Sequence, residues 1–158
     1  MPIDVPSPQG LKVVLDQSGR PRHSVRGIIV HRRLLYVADK AGNVVKIFEI
    51  KSGRLVGHIK GKKLTRPVHL ILYLDTLFIG AAGTGSILAY DIPKVAPRGK
   101  LKARAVIDGT LKAPSGFAIG PDGDLYVAER FDQRVRRFSI KGKKKGRSST
   151  GSRICPSS

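Results

Sequence analysis

The sequence contains three copies of one pattern, and this internal repeat limits the chain to architectures built from a recurring unit. Residues 35–39, 77–81 and 125–129 align on a central aromatic residue, the second copy 42 residues after the first and the third 48 after the second. Nine residues beyond each aromatic stands Val or Ile, twelve beyond stands another aromatic, and fourteen beyond stands Ile. Such agreement is very hard to obtain by chance, so the spacing predicts a repeat protein.

Apolar residues alternate with other residues inside each copy. Val45 and Ile47 in the segment 43–50 show this period of two, which is typical of a half-buried strand and not of a helix. Turn-forming residues separate the apolar runs, and a fourth short run occurs at 11–16, 55–59 and 103–108. Four antiparallel strands in about 40 to 50 residues are typical of one blade of a β-propeller.

The third copy closely resembles an NHL repeat. Residues 113–129 read Ala-Pro-Ser-Gly-Phe-Ala-Ile-Gly-Pro-Asp-Gly-Asp-Leu-Tyr-Val-Ala-Glu, and residues 133–138 read Gln-Arg-Val-Arg-Arg-Phe. They are similar to the family's proline, glycine, apolar pair, Asp-Gly turn and Leu-Tyr-Val-Ala-Asp, followed by Asn-Arg-Ile and an aromatic. The first copy keeps Asp39 and Asn43, whereas the middle copy has Ala81 in place of the acid. The resemblance covers roughly residues 11–140.

We therefore expect an all-β fold: an NHL-like β-propeller segment of three four-stranded antiparallel blades at residues 11–140, the last blade incomplete. Residues 1–10 form a Pro-containing N-terminal segment, and residues 141–158 form a basic tail that we expect to be disordered. Because closed propellers have about four to eight blades, two alternatives stay open. Two copies could exchange residues 11–16 and close a six-bladed ring as a homodimer, or the chain is a truncated fragment of a longer propeller.

Positive charge is the second strong feature of the sequence. Lys and Arg number 30 against 11 Asp and Glu, a net charge of +19, of which the tail carries six. A basic face would attract an acidic protein or nucleic acid, with RNA as the specific version. Cations also fall on the opposite face, so non-specific binding of polyanions stays an alternative. The loops that lead from blade to blade, together with the turns between second and third strands, place these candidate binding residues on one face: Arg20, Arg22, Lys40, Lys60, Lys62, Lys63, Arg66, Lys112, Arg130 and Arg134.

The sequence predicts no catalytic residues and no cofactor, which favours a non-catalytic interaction scaffold. Relatives of the resembled family include gluconolactonase-like hydrolases and a peptide-amide lyase with a metal at the channel mouth, so a truncated fragment of such an enzyme is the alternative. His69 is a weak metal candidate for which a packed structural role is favoured. For Asp39 and Glu129, the resemblance implies acids that hold the following turn through backbone N–H bonds.

Three further features bear on compartment. Cys155 is the single cysteine, which excludes an internal disulfide and a Cys-based zinc site. No apolar run reaches the roughly 18 residues that a membrane helix needs. The first ten residues lack the basic and apolar regions of a signal peptide, so a cytoplasmic location is the default expectation.

Overall fold

The structure, a computed structural model, describes residues 25–94 and 101–140, together with the backbone at 14–15 and 21–22. All of its regular structure is β-strand, and among the described residues there is no helix of the length and hydrophobicity that membrane crossing requires. Most of the strands form three sheets, which we name blades 1 to 3 in chain order. Blade 1 consists of β3 (Val25–His31), β4 (Leu34–Asp39), β5 (Val44–Glu49) and β6 (Leu55–Ile59).

Blades 2 and 3 repeat this arrangement. Blade 2 consists of β7 (Pro67–Tyr73), β8 (Thr76–Ala81), β9 (Ser86–Asp91) and β10 (Ala103–Ile107), and blade 3 of β11 (Pro114–Ile119), β12 (Leu125–Glu129) and β13 (Arg134–Phe138). In each sheet every strand pairs antiparallel with the next one along the chain. The predicted four-stranded blades and the incomplete last blade are therefore confirmed.

The N-terminal strand pairs locally. The run predicted at 11–16 appears as β1 (Val14–Leu15), which forms a two-stranded hairpin with β2 (Pro21–Arg22). Among the described residues, the sheet of blade 3 contains only β11, β12 and β13. Within one chain, β1 thus does not supply the fourth strand of blade 3.

The three sheets stack with their first strands side by side. β7 lies between β3 and β11, so these three inner strands lie together at one edge of the stack. Two apolar cores separate the sheets. Tyr36 and Ile47 of blade 1 pack with Ile79 of blade 2 in the first core, and Phe78 of blade 2 packs with Val127 of blade 3 in the second.

Blade 2 is buried on both faces because it has a neighbour on each side. Adjacent residues of β8, Phe78 and Ile79, belong to different cores, so its apolar run is continuous. β5 of blade 1 is also more buried than a half-buried strand should be, since Val44 and Phe48 are buried as well as Val45 and Ile47. Half-burial is found in β13 of blade 3, where intermediate and exposed residues alternate.

In all three blades, the turn between the second and third strands has a residue in the left-handed conformation at the same position. Asn43, Gly85 and Gln133 hold equivalent positions with φ of 52°, 61° and 46°. Gly and Asn adopt this conformation at the lowest cost, whereas Gln is less common there. The repeated turn shape therefore follows from the repeated position and not from one residue type.

Blades 1 and 2 approach most closely at a glycine of the first inner strand. A Cβ atom on Gly27 would lie 3.1 Å from His69 Cα, from Leu70 N and from Val68 O. All three atoms belong to the backbone of β7, so the neighbouring strand would have to shift as a whole. Gly27 thus sets the spacing of the two inner strands.

We expect Gly27→Ala to lower the free energy of unfolding by about 1–3 kcal/mol, since overpacking costs that much when the backbone must move. Gly116→Ala in the inner strand of blade 3 is the matched control, because its added Cβ would meet no atom within 4 Å. Urea denaturation followed by circular dichroism measures both. An equal loss in the two variants would contradict close packing at Gly27, because the lower entropy of the unfolded chain alone should make Gly→Ala slightly stabilising.

Candidate anion-binding site

A cleft of about 410 Å³ opens where the three inner strands begin. Equivalent positions of the repeat line it, so the cleft follows the pseudo-symmetry of the blades. The second residue of the inner strand contributes Arg26, Val68 and Ser115. The residue after the second strand contributes Lys40, Ala82 and Arg130, and the residue before the inner strand contributes Arg66 and Ala113.

A register irregularity recurs at the start of every inner strand. It falls between Val25 and Ile28 in β3, between Pro67 and His69 in β7, and between Pro114 and Gly116 in β11. A bulge redirects side chains by inserting an extra residue. The bulges therefore lie where Arg26, Val68 and Ser115 line the cleft.

Four cations meet in this cleft: Arg26, Lys40, Arg66 and Arg130, which we call the cation cleft. None of its described lining residues is an Asp or Glu. Desolvation lowers the pKa of the Lys40 ammonium, and the positive charges of Arg66, Arg26 and Arg130 lower it further. Like charges that are crowded together in this way favour the arrival of an anion.

The backbones that carry these cations are held by hydrogen bonds within and between blades. Arg66 N donates to Asn43 Oδ1 of blade 1 at 2.7 Å, and Ala82 N of blade 2 donates to Arg66 O at 3.1 Å. Arg130 N donates to Ala113 O at 3.2 Å. The charged side chains of Arg66 and Arg130 thus project from anchored loops.

The candidates from the sequence divide into three groups. Lys40, Arg66 and Arg130 converge in the cation cleft. Lys63 and Arg134 are ion-paired instead, Lys63 with Asp108 at 2.5 Å and Arg134 with Glu129 at 2.7 Å. Three further candidates lie exposed beyond the cleft: Lys60, Lys62 and Lys112. The side chains of Arg20 and Arg22 lie outside the described residues.

Arg26 is a cleft residue that sequence reasoning did not select. Its equivalents in the other copies are Val68 and Ser115, so no basic column marked it. Alignment of the three inner strands, anchored on Pro67 and Pro114, would have placed it at the bulge. Phe131 was missed for a similar reason, since it lies in a turn outside the repeated aromatic columns.

His69 packs against an aromatic ring. Its imidazole and the Phe117 ring have centroids 4.9 Å apart at an interplanar angle of 82°, an edge-to-face contact between blades 2 and 3. The described residues contain no group of three or more His, Cys, Asp and Glu that could hold a metal. This contact fits the packed role that the sequence favoured for His69.

The acid that ends the second strand of blades 1 and 3 holds nearby backbone in two different ways. Asp39 Oδ1 accepts from Gly42 N at 2.9 Å in the following turn, and its other oxygen lies 2.9 Å from Lys46 Nζ. Glu129 is fully buried and accepts instead from Lys112 N at 2.6 Å, in the loop that leads into blade 3. The expectation is thus confirmed at Asp39, whereas Glu129 anchors the preceding connection.

Burial raises the pKa of Glu129, but hydrogen bonds from Lys112 N and Arg134 outweigh it and hold the pKa below its usual range. A carboxyl with a depressed pKa stabilises the fold above its unfolded pKa of about 4.3. That stabilisation is lost as the pH falls through the lower, folded pKa.

Glu129→Gln should therefore lower the free energy of unfolding near neutral pH by about 1–3 kcal/mol, because Arg134 loses a charged acceptor. The difference from the parent chain should shrink as the pH falls below about 4. Asp132→Asn is the control, since Asp132 also pairs with Arg134, at 2.9 Å, but lies at the surface. Urea denaturation over a pH series measures both, and an equal cost for the two variants would contradict the role of Glu129.

A second basic cleft lies at the opposite end of blades 1 and 2, but acids line or border it. Arg54 and Lys94 share it with Glu49, and Arg32 lies 3.7 Å from Asp75. Its positive charge is thus partly compensated by carboxylates. The cation cleft is the stronger candidate for an anion.

Solved structures resemble this arrangement of three stacked blades. The chain has a β-propeller fold. It is similar to virginiamycin B lyase of Staphylococcus aureus, with 19% identity, a TM-score of 0.57, and coverage of 76% of this chain and 39% of the lyase. A 6-phosphogluconolactonase-like protein of Bacteroides uniformis gives 12% identity, a TM-score of 0.62, and coverage of 94% and 43%.

These solved structures are longer than the segment that matches this chain. For hydrazine synthase of Kuenenia stuttgartiensis the identity is 20% and the TM-score 0.57, with coverage of 84% of this chain and 36% of that one. The chain thus spans about two fifths of these structures. No protein-family model matches it, and no curated protein is similar to it in sequence.

Proposed function

We propose that this chain is a non-catalytic, NHL-like β-propeller scaffold that binds an acidic partner at the cation cleft, with single-stranded RNA as the specific version. The observation that supports the proposal is the convergence of Arg26, Lys40, Arg66 and Arg130 on one cleft whose described lining has no carboxylate. Such a site gains free energy from an anion through direct attraction and through the release of counterions. The NHL assignment rests on the pattern of the third copy, residues 113–138.

Binding of a short single-stranded RNA should weaken steeply with salt, and cleft variants should reduce that dependence. Neutralising Arg66 and Arg130 together, as Arg66→Gln with Arg130→Gln, should flatten the slope of log affinity against log salt by about 0.7 for each lost phosphate contact. Fluorescence anisotropy with a 3′-labelled RNA measures the affinity, and unlabelled poly-glutamate competes as the acidic peptide alternative.

Lys102→Gln with Arg104→Gln is the matched control, because it also removes two positive charges, from exposed positions at the outer part of blade 2. Lys62→Gln tests whether the wider basic face contributes. If the control and the cleft variants lose the same RNA affinity, overall charge and not the cleft drives binding, and the proposal is overturned. Stronger binding to poly-glutamate than to RNA would instead identify an acidic protein as the partner class.

A truncated propeller enzyme is the alternative function. Similarity to structures described as a lyase and a 6-phosphogluconolactonase-like protein supports it, although at identities that reflect fold alone. Hydrolase or lyase chemistry of the metal-dependent type needs several ligands at the channel mouth. In the described part of the mouth, His69 is engaged with Phe117.

The homodimer that closes a six-bladed ring is a further proposal about assembly. The free flank of blade 1 exposes Ile28 (65%) and Val30 (58%), and that of blade 3 exposes Val135 (47%). Arg137 occupies the position that Ile47 and Ala89 hold in the other blades, and it pairs with Asp124 at 2.7 Å. The free flank of blade 3 thus has an apolar side chain at Val135 and a charged one two residues later, at Arg137.

Sedimentation equilibrium tests the assembly directly: a closed ring predicts twice the mass of the chain. Val30→Asp should return the chain to a monomer, because it buries a charge against the partner blade. Lys102→Asp changes charge by more at an exposed position away from both flanks and should leave the mass unchanged. A soluble parent chain that sediments as a monomer would refute the closed dimer.

A further inference from the structure

The cation cleft is compact, which narrows the anions that suit it. Its volume of about 410 Å³ lies in the range of small-molecule pockets, roughly 300–1,000 Å³. Its cations come from blade 1, from the loop into blade 2 and from blade 3, so they border the cleft from different blades. A non-specific single-strand binder instead spreads its charges along a groove that follows the backbone.

The charge of the cleft favours a dianion over a monoanion. A phosphodiester inside a strand carries one negative charge, whereas a phosphate monoester carries about −1.5 to −2 and three strong acceptor oxygens. Three of the four cations are arginines, whose planar forks match phosphate oxygens in pairs. Desolvation, and then the charges of Arg66, Arg26 and Arg130, lower the pKa of Lys40, so a dianion among these groups would offset like-charge repulsion.

An exposed aromatic ring borders the same cleft. Phe131 is 71% exposed, and the Arg130 guanidinium carbon lies 5.3 Å from its ring centre. A phenylalanine that is not packed in a core offers a flat face on which a base can stack. The Arg130 guanidinium lies over one face of the ring in a cation–π contact, so a base would stack on the other face, with its phosphate near Arg130.

We infer that the cation cleft takes the 5′-phosphate monoester of a nucleotide, with the arginines and Lys40 around the phosphate and the base against Phe131. The inference rests on the proposed function, because it names the chemical group that the anion site selects. Two sources supply this group: a free mononucleotide and the 5′-phosphorylated end of an RNA strand. Both present the same dianion beside the same ring.

Matched ligands test the dianion. Calorimetry should show AMP binding about tenfold or more tightly than 3′,5′-cyclic AMP, which has the same base but a monoanionic diester. A short RNA with a 5′-phosphate should likewise bind about tenfold more tightly than the same RNA with a 5′-hydroxyl. If AMP matches the phosphorylated RNA, the free nucleotide is the source; if the RNA is much tighter, the strand end is.

Variants test the placement. Arg66→Gln and Arg130→Gln should each remove the preference for AMP over cyclic AMP, whereas Arg104→Gln should retain it. Phe131→Ala should weaken AMP by about tenfold and leave glucose 6-phosphate unchanged, because base stacking is worth about 1–3 kcal/mol. Denaturation curves check that each variant is folded, and all three side chains are exposed.

The outcomes separate this inference from the proposed function. If 5′-phosphate and 5′-hydroxyl RNA bind equally and Arg66→Gln weakens both, the preference for a dianion is overturned. Anion binding at the cation cleft, the proposed function, is then retained. An unchanged AMP affinity in Phe131→Ala would overturn the contact with the base. If Arg104→Gln weakens binding as much as Arg66→Gln does, the cation cleft is not the binding site, and both the inference and the proposed function are overturned.

Discussion

Stacking of the middle sheet between two neighbours is the interaction on which the rest of the structure depends. Blade 2 buries apolar side chains on both faces, so it belongs to both cores at once. Neither outer blade has a second neighbour among the described residues. Burial of this apolar surface is the dominant favourable term, and it brings the three inner strands to one edge. Without the stacking, the cations of blades 1 and 3 would not meet.

The repeated acids account for some of the lysines and arginines of the chain. Lys46 pairs with Asp39 in blade 1, and at the equivalent position of blade 3 Arg136 lies 3.6 Å from Glu129. These cations hold the turns of their blades together and are not available as a docking surface. Such pairs add nothing to the net charge of +19, whereas the four cations of the cation cleft contribute to it.

Much of the fold could be predicted from the sequence because a repeat multiplies weak signals. β6 spans the predicted 55–59, and the third blade is incomplete as expected. The site was predicted less well. The convergence of Lys40, Arg66 and Arg130 depends on blade stacking, which brings together residues far apart in the chain. Pairing of Lys63 with Asp108, 45 residues away, depends on the same contacts and cannot be read from spacing.

The close approach at Gly27 has a kinetic consequence. Backbone atoms, and not rotatable side chains, set the distance between β3 and β7, so the cleft exists before any ligand arrives. A site that needs no rearrangement has no slow opening step, and unbalanced positive charge speeds diffusional encounter with an anion. Association at this edge would then be limited by diffusion and ionic strength, and the lifetime of a complex would be set by the escape of the ligand.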